Sequence, residues 1–107
     1  MDKQDMLRRM RAGKFIDNNG QVLRTINILR HKYERLQDVK YALEISESDY
    51  LDSINFLSEA GYIHLREVGS KQTATIADSD YDQLEAKLTE KGIRLLGGEI
   101  HDQMVKA

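Results

Sequence analysis

Cysteine is absent from the 107-residue chain. That absence removes a disulfide framework, a thiolate metal site and a cysteine nucleophile together. No apolar run approaches the roughly 20 residues of a membrane-spanning helix, and residues 1–13 mix charge with Met and Leu without the apolar stretch of a signal peptide. These absences lead us to expect a cytoplasmic protein with no membrane association. Internal repeats and low-complexity segments are also missing. The three histidines, His31, His64 and His101, lack an H-x-x-x-H spacing. The run Asp78-Ser79-Asp80-Tyr81-Asp82 opens like a calcium loop, but Gln83 and Thr89 stand where Gly and Glu are required. There is no P-loop, and the carboxylates are scattered. Neither a metal, nor a cofactor, nor an enzymatic activity is expected.

What is present suits one small domain. Hydrophobic residues make up 40% and charged residues 32% of the chain, an ordinary globular composition that can bury a modest core. Residues 2–12 have helical propensity, with Met6, Leu7 and Met10 on a short stripe that needs something to dock on. Asp17-Asn18-Asn19-Gly20 reads as a turn, because Asn and Gly accept positive φ cheaply. Val22, Ile26, Leu29, Tyr33 and Leu36 recur at helical spacing and predict an amphipathic helix over 21–36. A short helix over 38–44 follows, turning Val39, Ala42 and Leu43 inward. Ser46 is an N-cap with Asp49 three residues on, starting a third helix that Gly61 stops. The alternation of Ile63 and Leu65 with His64 and Arg66 marks a strand over 62–68, and Leu84, Ala86 and Leu88 mark its return. Residues 69–83 form a long polar loop between them. Thr89 caps a last helix over 90–96, in which Gly92 allows a close approach to a strand. Ile100 and Met104 suggest a turn packing back on the domain.

The organisation expected is a basic helical arm and turn at 1–19, a domain at 20–98 and a tail at 99–107. Charge is distributed unevenly among these parts. Residues 1–16 set Lys3, Arg8, Arg9, Arg11 and Lys14 against Asp2 and Asp5. Residues 37–60 set Lys40 against Asp38, Glu44, Glu47, Asp49, Asp52 and Glu59.

Three stretches carry a family resemblance. Phe56-Leu57-Ser58-Glu59-Ala60-Gly61-Tyr62-Ile63 resembles the junction from third helix to first wing strand of winged-helix proteins. Leu88-Thr89-Glu90-Lys91-Gly92, followed by Leu95-Leu96, resembles their exit from the wing into the closing helix, and Asn27-Ile28-Leu29 resembles the centre of their first helix. Residues 20–98 are thus similar to MarR-like and PadR-like regulators, to YjcQ-type proteins and to small winged-helix proteins of Mu-like prophages. The resemblance implies an α+β winged helix: a three-helix core, a two-stranded antiparallel β-wing and a closing helix, here with an extra N-terminal helical arm. It also implies duplex-DNA binding in transcription regulation, a prophage or mobile-element setting, and a possible homodimer.

In such a domain the third helix enters the major groove, where Arg, Lys, Asn or Gln read base edges and flanking basic residues neutralise phosphates. Residues 46–60 contain four acids and no Lys or Arg. The DNA-contacting residues expected are therefore Arg8, Arg9, Arg11 and Lys14 of the arm, Lys71 of the wing, and Ser53 and Asn55 of the third helix. The alternative is a docking module whose acidic third helix meets a basic protein partner and no DNA, with Phe56, Tyr41 or Tyr62 as an anchor.

Overall fold

The computed structural model describes residues 2–107. Four helices and three strands follow in the order α1 (Lys3–Ile26), β1 (Glu34–Arg35), α2 (Leu36–Tyr41), α3 (Glu47–Glu59), β2 (Ile63–Glu67), β3 (Leu84–Leu88) and α4 (Glu90–Leu96). Short 3-10 turns occupy Asn27–Leu29 and Tyr81–Gln83. The strands form one antiparallel sheet in the order β1-β3-β2, so the fold is α+β.

The core lies between the helices and one face of the sheet. Val22, Leu23 and Ile26 of α1, Leu36 and Val39 of α2, and Tyr50, Ile54 and Leu57 of α3 meet Ile63, Leu65, Leu84, Ala86 and Leu88. Each large side chain taken out of water here contributes about 1.5–3 kcal/mol. The Tyr50 hydroxyl is buried too, and it donates to the Leu36 carbonyl at 2.7 Å. Burial within the core pushes this phenol far above the ordinary tyrosine range.

Local signals set most boundaries from Ser46 onward. Ser46 accepts from the Asp49 amide at 3.2 Å and starts α3. Gly61, at φ +83°, ends it in the left-handed region. Thr89 accepts from the Gly92 amide at 3.1 Å and starts α4. A Cβ on Gly92 would overlap the Tyr62 carbonyl, so only glycine lets α4 sit this close to the residue that leads into β2.

The first half of the chain departs from expectation at several points. Asp17-Asn18-Asn19-Gly20 is not a turn but the middle of a continuous 24-residue α1. Asn18, Asn19 and Gly20 are buried where the tail crosses them: Asn19 Nδ2 donates to the Met104 carbonyl at 2.8 Å, and a Cβ on Gly20 would overlap the Lys106 carbonyl. The boundary expected at 19/20 therefore falls inside a helix, of which Asn18–Ile26 carries the buried face.

The helix expected over 21–36 ends at Ile26. Its apolar stripe is shared among α1, the 3-10 turn, the Tyr33 loop and α2, and Leu29 is exposed. What interrupts it is strand pairing: Glu34 and Arg35 form β1 opposite Ala86 and Glu85, so the expected two-stranded wing is a three-stranded sheet. The second helix consequently starts at Leu36 and ends at Tyr41, leaving Ala42 exposed and Ile45 buried in its place.

The tail does pack back. Ile100 touches the core, Val105 is buried in it, and the Met104 side chain stays outside while its carbonyl is used. No described helix is long and apolar enough to cross a membrane.

Candidate nucleic-acid interface

Three elements bring the expected contact residues to the surface: the first half of α1, the outer side of α3 and the loop between β2 and β3. α1 begins at Asp2, whose carboxylate accepts from the Asp5 amide at 2.8 Å. Its first three turns stand clear of the core, with Arg8, Arg9, Arg11 and Lys14 all exposed. Phe15 ends this projection by packing edge-on against Phe56 of α3, with centroids 5.5 Å apart. Beside that contact Lys14 Nζ pairs with Asp49 at 3.2 Å. The corner between arm and α3 is an open cleft of about 520 Å³ lined by Arg11, Lys14, Phe15, Asn18, Asp49 and Asp52. Its walls carry two bases and two acids, so the cleft itself has no strong sign.

α3 presents Glu47, Ser48, Asp52, Asn55 and Glu59 outward. Of the two α3 residues expected to touch a partner, Asn55 is on this surface. Ser53 is not: it is 0% exposed, faces the core, and its hydroxyl has no hydrogen-bond partner. The stripe explains the miss. Ser53 precedes Ile54 and follows Tyr50 by three, so a helix wide enough to bury both must bury Ser53 as well.

The β2–β3 loop is folded on itself rather than extended. The Glu67 amide donates to the Gln72 carbonyl and the Lys71 amide to the Glu67 carbonyl, both at 2.9 Å, and Arg66 bridges to Thr73. The Glu67 carboxylate accepts from Ser70 and Ser79 hydroxyls at 2.8 Å each, bonds that hold it below the usual carboxylate range. Asp78 closes a turn on the Thr75 amide and hydroxyl. Among the described residues no group of three or more metal-ligating side chains occurs.

Lys71 adopts φ +62° and sends its ammonium back to Glu85 at 3.0 Å. Glu85, 6% exposed, also accepts from Arg66 Nε at 3.0 Å. Burial raises the Glu85 carboxyl, but hydrogen bonds and charge from Lys71 and Arg66 outweigh it and hold the carboxyl low. Lys71 is thus engaged in neutralising a buried acid and is not a free cation for phosphate.

These contacts belong to a polar network across the outer sheet face that sequence reasoning did not assemble. Tyr33 Oη meets His64 Nδ1 at 2.7 Å, His64 Nε2 meets Thr73 Oγ1 at 2.9 Å, and the Arg66 guanidinium stacks 3.5 Å above the Tyr33 ring. Alternation along β2 placed His64 and Arg66 on this face. Only the register, with Arg66 opposite Glu85 and His64 opposite Lys87, reveals their partners.

Two bases outside the arm, Arg24 near the end of α1 and Arg35 of β1, are committed to backbone carbonyls. Arg24 donates to the Lys106 carbonyl at 2.6 Å and Arg35 to the Asp82 carbonyl at 3.1 Å. On the arm, Arg8 meets Asp5 at 3.4 Å in an exposed pair, the kind worth about 0–1 kcal/mol, and among the described residues Arg9 and Arg11 form no ion pair. No protein-family model, curated protein or solved structure matches the chain.

Proposed function

We propose that the chain is a winged-helix domain that binds duplex DNA in a regulatory role, of the kind carried by prophages and mobile elements and working in the cytoplasm. The observation that carries this reading is the chain order α1-β1-α2-α3-β2-β3 with β1 on the free edge of β3. That is the order in which a winged helix lays a short first strand beside its wing hairpin. The junctions at 56–63 and 88–96 support the same reading, because Gly61 and Thr89 occupy the cap positions the resemblance requires.

The mode of binding differs from the family expectation. Carboxylates at Glu47, Asp52 and Glu59 repel phosphates, and Lys71 and Lys14 are paired with Glu85 and Asp49. Affinity therefore comes from Arg8, Arg9 and Arg11 on the arm, with Asn55 the one expected α3 residue that faces outward. The arm would follow the backbone or enter a minor groove.

The test is binding of random and genomic duplexes at several salt concentrations. Log affinity should fall linearly with log salt, and replacing Arg8, Arg9 and Arg11 with Ala should flatten the slope by roughly one per arginine. Absence of binding at low salt and high protein concentration would refute DNA binding. One observation favours a second reading: Glu47, Asp52 and Glu59 on the outer surface of α3 form no ion pair among the described residues, which suits docking of a basic protein segment. Binding of a polybasic peptide, weakened by Asp52→Lys, would then replace the DNA signal.

A further inference from the structure

The two ends of the chain meet on α1, at the stretch where that helix is weakest. None of residues 3–17 is buried, and burial along α1 begins at Asn18. Asp17-Asn18-Asn19-Gly20 is a poor helical sequence, since Asn and Gly rank low as helix formers and favour turns. A 24-residue helix nevertheless runs through it. The tail crosses at this point. The Lys106 amide donates to the Ile16 carbonyl at 3.3 Å, and the Lys106 carbonyl accepts from Arg24 at 2.6 Å. The Met104 carbonyl accepts from Asn19 Nδ2 at 2.8 Å, and Val105 between them is buried. Asp102, where the crossing starts, accepts from the Tyr62 hydroxyl at 2.5 Å. Lys106 Nζ and Asp17 add an exposed pair at 3.7 Å.

The seat of the tail exists only on a helix. Ile16, Gly20 and Arg24 stand at i, i+4 and i+8, with Asn19 beside them. One helical face thereby assembles an acceptor, a gap and two donors. Gly20 is the gap, because a Cβ there would overlap the Lys106 carbonyl. Unwinding residues 17–20 would scatter all four groups. In return, the docked tail gives Asn19 a partner and covers Gly20, which supports the helix where its own propensity is lowest. Seat and tail thus stabilise each other.

We propose that the tail is a latch on the arm. With residues 102–106 docked, α1 is continuous and holds Arg8, Arg9 and Arg11 in a fixed direction from the domain. With the tail released, α1 breaks at 17–20 and residues 3–16 become a separate, fraying segment, because a free helix of about 14 residues is marginal in water. The break is local: Val22, Leu23 and Ile26 remain in the core. The arm keeps only its contacts with α3, Phe15 on Phe56 and Lys14 with Asp49. By reciprocity, whatever draws the tail away loosens the arm, and whatever fixes the arm tightens the tail. This goes beyond the functional reading above and does not rest on it.

Amide hydrogen exchange of the full chain, with no DNA present, tests the latch. Val105→Asp puts a carboxylate at a buried apolar position and should release the tail. Amides of residues 12–20 should then exchange at least about tenfold faster, while those of Ile54 and Leu65 keep the parent's protection. If Val105→Asp loosens the core as well, the milder Val105→Ala is read in the same way. Adding Asn18→Ala and Gly20→Ala to the released chain should return residues 12–20 to slow exchange, because alanine restores helix propensity without the tail. In the otherwise unchanged chain the same two alanines should speed exchange of the Lys106 amide and leave residues 12–20 slow. An arm that exchanges at the parent's rate after tail release would overturn the proposal. So would an arm that speeds only in step with Ile54 and Leu65, since the tail would then be one more part of the core. Failure of the two alanines to restore slow exchange would overturn it as well.

Discussion

Ser53→Ala is expected to make the domain more stable. The Ser53 hydroxyl is fully buried in α3, whose Tyr50, Ile54 and Leu57 fill the core around it, and it donates to nothing and accepts from nothing. A stranded buried polar group costs about 1–3 kcal/mol in lost hydration. Alanine also exceeds serine in helix propensity by roughly 0.5 kcal/mol. Against these gains stands the packing of one oxygen-sized group, about 1 kcal/mol or less. The balance is a stabilisation of about 1–2 kcal/mol, equivalent to roughly 4–8 °C in melting temperature for a domain of this size.

Thermal and urea unfolding monitored by circular dichroism would measure it, with an unchanged urea slope as the control for compactness. A destabilised variant would refute the reasoning, because it would mean that the hydroxyl has a partner, such as a buried water. Under the DNA-binding proposal, the same variant should match the parent in affinity, since a side chain inside the core reads no base. A loss of affinity without a loss of stability would restore Ser53 to the interface.

Gly92→Ala should destabilise by about 2–3 kcal/mol, because its Cβ would collide with the Tyr62 backbone carbonyl rather than with a flexible side chain; unfolding midpoints in urea report this, and a neutral result would contradict the close approach of α4. Glu85→Gln addresses the ion pairs between β3, β2 and the β2–β3 loop. The folded carboxyl titrates below the ordinary glutamate value of 4.5, so its contribution is present above that value and is lost as pH falls through the folded one. Wild-type stability should therefore decline more below about pH 4.5 than that of the glutamine variant does. Parallel acid titrations of the two proteins would reveal an error in the sign.

Local chemistry accounts for the second half of the chain. Ser46 and Thr89 cap because their hydroxyls replace amide partners that any helix start lacks. Gly61 ends α3 because it reaches the left-handed region without a steric penalty. Alternation in β2 and β3 sends apolar side chains to one face and polar ones to the other. Each of these signals is complete within a few residues, which is why composition and spacing sufficed to find it. The arm's basic charge and the acidity of α3 are equally a matter of which residues are present.

Contacts distant in sequence decided the remainder. Asn18, Asn19 and Gly20 have the composition of a turn, and they stay helical because the tail brings the Met104 and Lys106 carbonyls over them. The stripe from Val22 to Leu36 has the period of one helix, but β3 offers Glu34 and Arg35 a strand partner that outweighs that pattern. Ser53 and Asn55 are both small polar residues on one helix, and the width of the buried face alone separates them. Lys71 is a loop cation by position and an internal counterion by register, since Arg66 and Glu85 meet only when β2 and β3 pair. Propensity and periodicity act over one or two helical turns, whereas a buried carbonyl or a paired strand edge is supplied from tens of residues away.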